Sequence, residues 1–156
     1  MTDTKDLKTR FWNHLAESPY VFLQRDADVG SAVPMTAQLD VHANHAIWFF
    51  STKDSHLAKG GSVTATFTAR HHDLFARFSG VLSHELSQER LDALWTTTVS
   101  AWYPGGKEDP SLLLLRMDLG GAEIWNNDLG LIDSVKLLLG IESRDEPGIE
   151  HVQTRL

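Results

Sequence analysis

Ser51, Thr52, Lys53, Asp54, Ser55 and His56 stand in a row directly after the aromatic run Ala46-Ile47-Trp48-Phe49-Phe50. Hydroxyls, a lysine and the amides of a beginning helix can receive an anion such as a phosphate. The aromatic run reads as a strand and gives a flat apolar wall beside that anion site. Wall and anion site together suit a phosphorylated aromatic cofactor. Ala32 to Leu39, with Val33, Pro34, Met35 and Gln38, reads as the neighbouring strand presenting the same ligand. Pro34 removes a ladder donor, so this strand is expected at an edge or locally irregular, with room for a ligand. An ordinary edge proline, and a Ser55 that merely caps a surface helix, are the competing readings of the same residues.

Periodicity supplies the scaffold around these groups. Leu7, Phe11 and Leu15, with Trp12 alongside, predict an amphipathic helix over residues 3–16, capped by Asp3 or Thr4. Strands are expected over 19–23, 31–41, 46–52, 62–69 and 74–84, and a closing pair over 111–119 and 122–125 turns around Gly120-Gly121. Ser55 to Lys59 suits one helical turn stopped by Gly60-Gly61. Leu91, Leu94, Trp95, Thr98, Val99 and Trp102 share one face of a helix capped by Ser87 and broken at Tyr103-Pro104-Gly105-Gly106-Lys107. In the tail, 131–139 has the character of a short helix and the rest is polar. Six or seven mostly antiparallel strands predict a small β-barrel of the α+β kind, whose closure removes sheet edges. An open α+β sandwich uses the same elements.

At 156 residues the chain suits a single domain over 1–156, with its core in about 5–126 and a tail over 127–156. A formal charge of −7 argues against a general binder of nucleic acid or anionic membrane, so a phosphate must be held by local donors. The absence of cysteine excludes disulfides, thiolate metal sites and thiol catalysis. A polar N-terminus and the lack of an apolar run near 18 residues point to a cytoplasmic protein. Eight histidines invite a metal site, but His42, His45, His71, His72 and His84 match no ligand spacing, and turn histidines in solvent explain them. No metal is expected, and no hydrolase or phosphate-loop motif occurs.

Three segments resemble the FMN-binding split-barrel family of pyridoxamine 5'-phosphate oxidase-like proteins, and within it the general stress protein 26 branch. They are Val33-Pro34-Met35 with Gln38, Trp48-Phe49-Phe50-Ser51-Thr52 followed by Asp54-Ser55-His56, and Ala101-Trp102-Tyr103-Pro104-Gly105-Gly106-Lys107. The resemblance implies FMN bound at the interface of a homodimer. It lays the Val33-Pro34-Met35 backbone along the isoalloxazine ring and the phosphate at Ser51, Thr52, Ser55 and His56, with Lys53 or Lys59 as its cation. Phe50 and Gln38 belong to the same segments, and Trp125 matches a tryptophan that borders the flavin. Trp102 fits its helix's apolar stripe as a core residue, while its place before Pro104-Gly105-Gly106 also suits a flavin edge or a dimer contact. Val33 replaces the family's arginine, Leu57 a lysine and Phe75 a glutamine. Arg144, His151 and Arg155 do not reproduce the oxidase's substrate-binding pair, so vitamin B6 oxidation is not expected. The activity implied is a flavin-dependent oxidoreductase with a nicotinamide donor and no catalytic side chain of its own. A non-enzymatic flavin-binding stress module, or a degenerate barrel acting through protein contacts, are the alternatives.

Overall fold

Apolar residues alternate along most strands, and the computed structural model, which describes residues 4–127 and 149–156, shows where they point. Helix α1 (Thr4–Glu17) buries Leu7, Phe11 and Leu15 on one side, the stripe expected of it, while Asp3 lies outside the described residues. Phe11 meets Phe67 and Phe78 edge-to-face, at 6.1 and 5.3 Å between ring centres, and so fastens the helix over the barrel interior. The strands are β1 (Tyr20–Arg25), β2 (Val33–Thr36), β3 (Ala46–Thr52), β4 (Gly61–Thr68), β5 (Leu74–His84), β6 (Leu112–Asn127) and β7 (Ile149–Arg155). All pairings are antiparallel, in the order β2-β1-β4-β5-β6-β3, with β7 also on β6.

β6 is the beam of the sheet. Its one edge carries β5, while the other is shared by β3 along residues 112–118 and β7 along 121–127. The expected turn at Gly120-Gly121 is therefore corrected to one continuous strand. Here the two glycines face the single residue Ser79, because the register passes from Phe78↔Ala122 to Gly80↔Leu119. That extra residue is a bulge, which bends the strand instead of reversing it. β7 had no counterpart among the expected strands, since its alternation of Val152 with polar residues is weak. Residues 131–139 lie outside the described residues.

The barrel is not closed. Between β2 and β3 a single bridge spans the gap, Gln38 N donating to Trp48 O at 2.8 Å and Trp48 N to Gln38 O at 3.0 Å. The expected strand over 31–41 shortens to Val33–Thr36 because only those residues pair with β1. β3 is buried on both faces, which explains its unbroken apolar run. Ile47 and Phe49 enter the main core, while Trp48 joins a second small cluster with Ala43, Ala46, Leu94 and Leu114.

That second cluster seats helix α2 (Gln88–Leu94), capped by Ser87, whose hydroxyl accepts from Arg90 N at 3.1 Å. The single helix expected to run on to Trp102 breaks at Trp95. A new short helix, α3 (Thr97–Ser100), starts from Thr96, whose Oγ1 accepts from Val99 N at 3.2 Å. A threonine side chain that satisfies a backbone amide competes with helix continuation. Among the described residues no helix is long and apolar enough to cross a membrane.

Candidate flavin pocket

Where β2 and β3 part, a cavity of about 460 Å³ opens between the two strands and the α3 segment. Pro34, Met35, Thr36 and Gln38 form one side, and Phe50, Ser51, Thr52 and Ser55 the other. Thr98, Val99, Trp102 and Tyr103 close it from outside the sheet. The volume lies within the range of small-molecule sites, and an apolar wall with a few polar groups is their usual lining.

Local sequence accounts for each wall. Pro34 has no amide to offer a neighbouring strand, which keeps β2 from pairing with the end of β3. Thr52 O accepts from Ser55 N at 3.1 Å, turning the chain sharply into the 3₁₀ turn His56–Lys59. Gly60 ends that turn at φ +64, and its N donates to Leu57 O at 3.0 Å. A side chain there would meet Leu82 O at 2.6 Å. The turn is too short to supply many free amides: Ser55 Oγ already accepts from Leu57 N at 3.2 Å, and Ser55 O from Ala58 N at 3.0 Å. Ser55 keeps its own hydroxyl proton to donate.

The outer wall hangs from three anchors. Tyr103 donates its phenol to Ser51 O at 2.7 Å, Trp95 packs edge-on against Phe50 at 5.9 Å, and Lys107 Nζ reaches Asp92 Oδ1 at 2.9 Å. The Pro104-Gly105-Gly106-Lys107 segment thus has a structural task. Asp109 accepts from Gly105 N at 3.0 Å and from the Ser111 hydroxyl at 2.7 Å, locking the loop that enters β6. Those bonds, the Ser111 hydroxyl first, hold the Asp109 carboxyl below the usual carboxylate range.

Burial, and secondarily the Asp109 charge, push the Tyr103 phenol above its ordinary value of 10.0. A raised folded-state value means a contribution fully present below the unfolded value of 10.0 and lost as pH climbs through the folded one. Tyr103→Phe is accordingly expected to lower stability by about 1 kcal/mol at neutral pH. It should also flatten the alkaline decline in melting temperature, which a thermal melt series across alkaline pH measures.

Of the residues expected from sequence, eight meet at this cavity: Pro34, Met35, Gln38, Phe50, Ser51, Thr52, Ser55 and Trp102. Four do not line it. Val33 is half-buried against the main core, and Lys59 is exposed. His56 is half-buried, and its buried Nε2 finds no hydrogen-bond partner among the described residues. Trp125 sits on the β7-paired half of β6, stacked on His151 at 5.0 Å with the Arg77 guanidinium 5.9 Å from its ring. Trp102 is not the core residue its stripe suggested, because the helix breaks before it; it is 79% exposed at the mouth. Thr36, Thr98, Val99 and Tyr103 line the cavity without having been expected there, although Tyr103 lay inside the Trp-Tyr-Pro-Gly-Gly segment. None of the twelve lining residues is a lysine, arginine, histidine or carboxylate. Among the described residues no cluster of side chains could hold a metal ion.

A second depression of about 350 Å³ lies on the outer sheet face over the bulge, lined by Thr64, Ser79, Gln153, Thr154 and the Arg77–Glu123 ion pair at 3.0 Å. It is more open to solvent than the first, and Phe78 and Ala122 lie at its base.

Comparison with known proteins agrees with this architecture. Residues 6–141 match the family described as pyridoxamine 5'-phosphate oxidase like. The general stress FMN/FAD binding protein of Xanthomonas citri is 42% identical, with 82% of this chain and 94% of that one covered and a TM-score of 0.75. A candidate general stress protein 26 from Jannaschia sp. CCS1 is 26% identical, covering 99% of this chain and all of its own (100%), with a TM-score of 0.79. A Clostridium acetobutylicum protein related to general stress protein 26 shares the fold at 13% identity, with a TM-score of 0.69 over 99% of this chain and 97% of that one. Comparison with curated proteins gave no match. With its split barrel, the matched model over most of its length and these relatives, the chain belongs to the pyridoxamine 5'-phosphate oxidase-like family, in its general stress protein 26 branch.

Proposed function

We propose that the cavity between β2 and β3 holds the isoalloxazine ring of FMN, and that the protein is a homodimeric cytoplasmic flavoprotein. The observation that carries this reading is the convergence of Pro34, Met35, Phe50 and the Ser51, Thr52 and Ser55 hydroxyls on one slot of ring-accommodating size. The FMN/FAD-binding relative from Xanthomonas citri supports it. When bound, the flavin supplies hydride or electron transfer. Pro34, Met35 and Phe50 bind and orient the ring, Trp102 covers its open side against water, and Ser51 and Ser55 donate to its phosphate.

Dimerisation is supported by the outer sheet face, where Tyr20 is 64% and Phe22 54% exposed beside Phe75 and Pro34. Such an aromatic face is characteristic of an interface core. Trp125 pairs with Phe75 on that face and does not line its own chain's cavity, which is compatible with its bordering a ring in a partner's site.

The lining contains no side chain suited to moving a proton at neutral pH, which favours a flavin holder over an enzyme with its own acid and base. An oxidoreductase in which a nicotinamide donor reduces the flavin directly remains compatible with that lining. The test has two stages. The purified protein should take up FMN and turn yellow, and Ser51→Ala with Ser55→Ala should weaken binding by about 1–1.5 kcal/mol in a flavin titration. A colourless protein after incubation with excess FMN would refute the reading. Bleaching by NADPH or NADH then identifies the reductase, and indifference to both the holder.

A further inference from the structure

Arg25 does not line the cavity, yet it is bonded to the segments behind both of its walls. Its Nε donates to Gly60 O at 2.8 Å, and its Nη1 donates to Asp28 Oδ2. We infer that Arg25 is a positioning residue, a brace that fixes the β2 wall and the Ser55 turn relative to each other and so sets the width of the slot. The inference rests on the flavin reading above and adds to it a residue that acts from outside the site.

Arg25 ends β1 on the face of Val21 and Leu23, and its side chain is only 14% exposed. Two short paths of hydrogen bonds run from it to cavity residues. Asp28 O accepts from Ser31 N at 3.1 Å and from the Ser31 hydroxyl, just ahead of Val33, where β2 begins, and of Pro34. In the other direction, Gly60 N donates to Leu57 O at 3.0 Å, and Leu57 N to Ser55 Oγ at 3.2 Å. Pro34 and Ser55, where the paths end, lie on opposite sides of the slot.

A role confined to holding the barrel together does not account for this fork. The end of β1 is already tied to β4 by their ladder, by Asp26 N donating to Ser62 O at 2.9 Å and by Thr64 Oγ1 donating to Asp26 Oδ1 at 2.8 Å. Both partners of Arg25 stand outside that ladder, in the loop that feeds β2 and at the close of the turn. A guanidinium suits the task, because its donors are held in one rigid plane and a lysine ammonium cannot copy their directions. Bonds from an ionised donor, above all to a carboxylate, are the strong ones. All these contacts lie within one chain, so they stand whatever a second subunit covers. A gap set in advance spares the ligand the cost of ordering its walls. Without the brace, affinity falls although every lining residue is kept.

The experiment is a fluorescence titration of FMN into flavin-free parent, Arg25→Ala, Arg25→Lys, Asp28→Ala and the Arg25→Ala, Asp28→Ala double variant, each with its urea midpoint. Arg25→Ala should weaken FMN binding about tenfold, and Arg25→Lys less, since it keeps one of the two bonds. Asp28→Ala, outside the lining, should weaken binding severalfold, and the double variant should bind no worse than Arg25→Ala, because the pair acts as one unit. Gly80→Ala, overpacked against Asp118 O and also outside the lining, is the reference for mere loss of stability and should bind FMN like the parent. Parent-like affinity in the Arg25 variants and Asp28→Ala, additive losses in the double variant, or an equal loss in Gly80→Ala at comparable destabilisation would overturn the brace and leave the flavin site standing. If Arg25→Ala does not fold, Arg25→Lys and Asp28→Ala decide by the same comparison. A parent that takes up no FMN would overturn the flavin reading and this inference with it.

Discussion

Trp48→Ala should destabilise the protein by about 3–5 kcal/mol, the range for removing a large aromatic side chain from a packed interior. Trp48 is 1% exposed and serves three structures at once. Its backbone makes the bridge across the mouth of the barrel, to Gln38. Its ring is the floor on which Leu91 and Leu94 of α2 rest. Its Nε1 donates to Glu85 Oε1 at 2.9 Å, while the Arg90 guanidinium lies 4.2 Å from the ring centre and pairs with Asp40. A cation over an indole face adds to the packing term. The alanine variant would empty the small cluster, detach α2 and with it the outer wall carrying Val99, Trp102 and Tyr103. Urea denaturation should show the loss of stability, and the surviving folded fraction should bind flavin more weakly. Trp48→Phe keeps most of the floor and forfeits the indole hydrogen bond, so its loss should be the smaller. Equal stability of the alanine variant and the parent would show that α2 does not depend on this ring.

Gly80→Ala should also cost the fold heavily. A Cβ there would stand 2.4 Å from Asp118 O and 2.9 Å from Met117 Cγ. The methionine side chain can move; the carbonyl belongs to β6 and cannot, without pulling that strand from both β5 and β3. Overpacking of this kind costs about 1–3 kcal/mol, and an immovable neighbour places the expected value near the top of that range. The midpoint of chemical denaturation should fall, while the flavin affinity of the folded protein stays near the parent's because the cavity lies elsewhere. An unshifted midpoint would show that β5 and β6 separate at this point more easily than their register implies.

The contrast between these two sites explains what could be read in the residues alone. Strands such as 46–52 and 74–84 declare themselves through composition and alternation, which are local properties. So does the Ser87 cap, since a serine before an amphipathic run has few other roles. Gly120-Gly121 misleads because a glycine pair between apolar runs is the mark of both a hairpin and a bulge; only the partner strand decides between them. The break at Trp95 misleads for a related reason. Periodicity carried the stripe through to Trp102, while the contest between Thr96 Oγ1 and the helix is settled by where Trp95 packs, against Phe50 and Tyr103. The pocket segments were legible because family motifs flag them. Thr36, Thr98 and Val99 were not, since their place depends on the gap between β2 and β3, a property of the assembled sheet.

The last strand bears on how the protein can be handled. β7 zips along the upper half of β6, and Leu156 N closes the row on Gly120 O at 3.0 Å. The chain is therefore still hydrogen-bonded sheet as it reaches Leu156. A pull applied at Leu156 would be carried straight into the beam that bears the barrel.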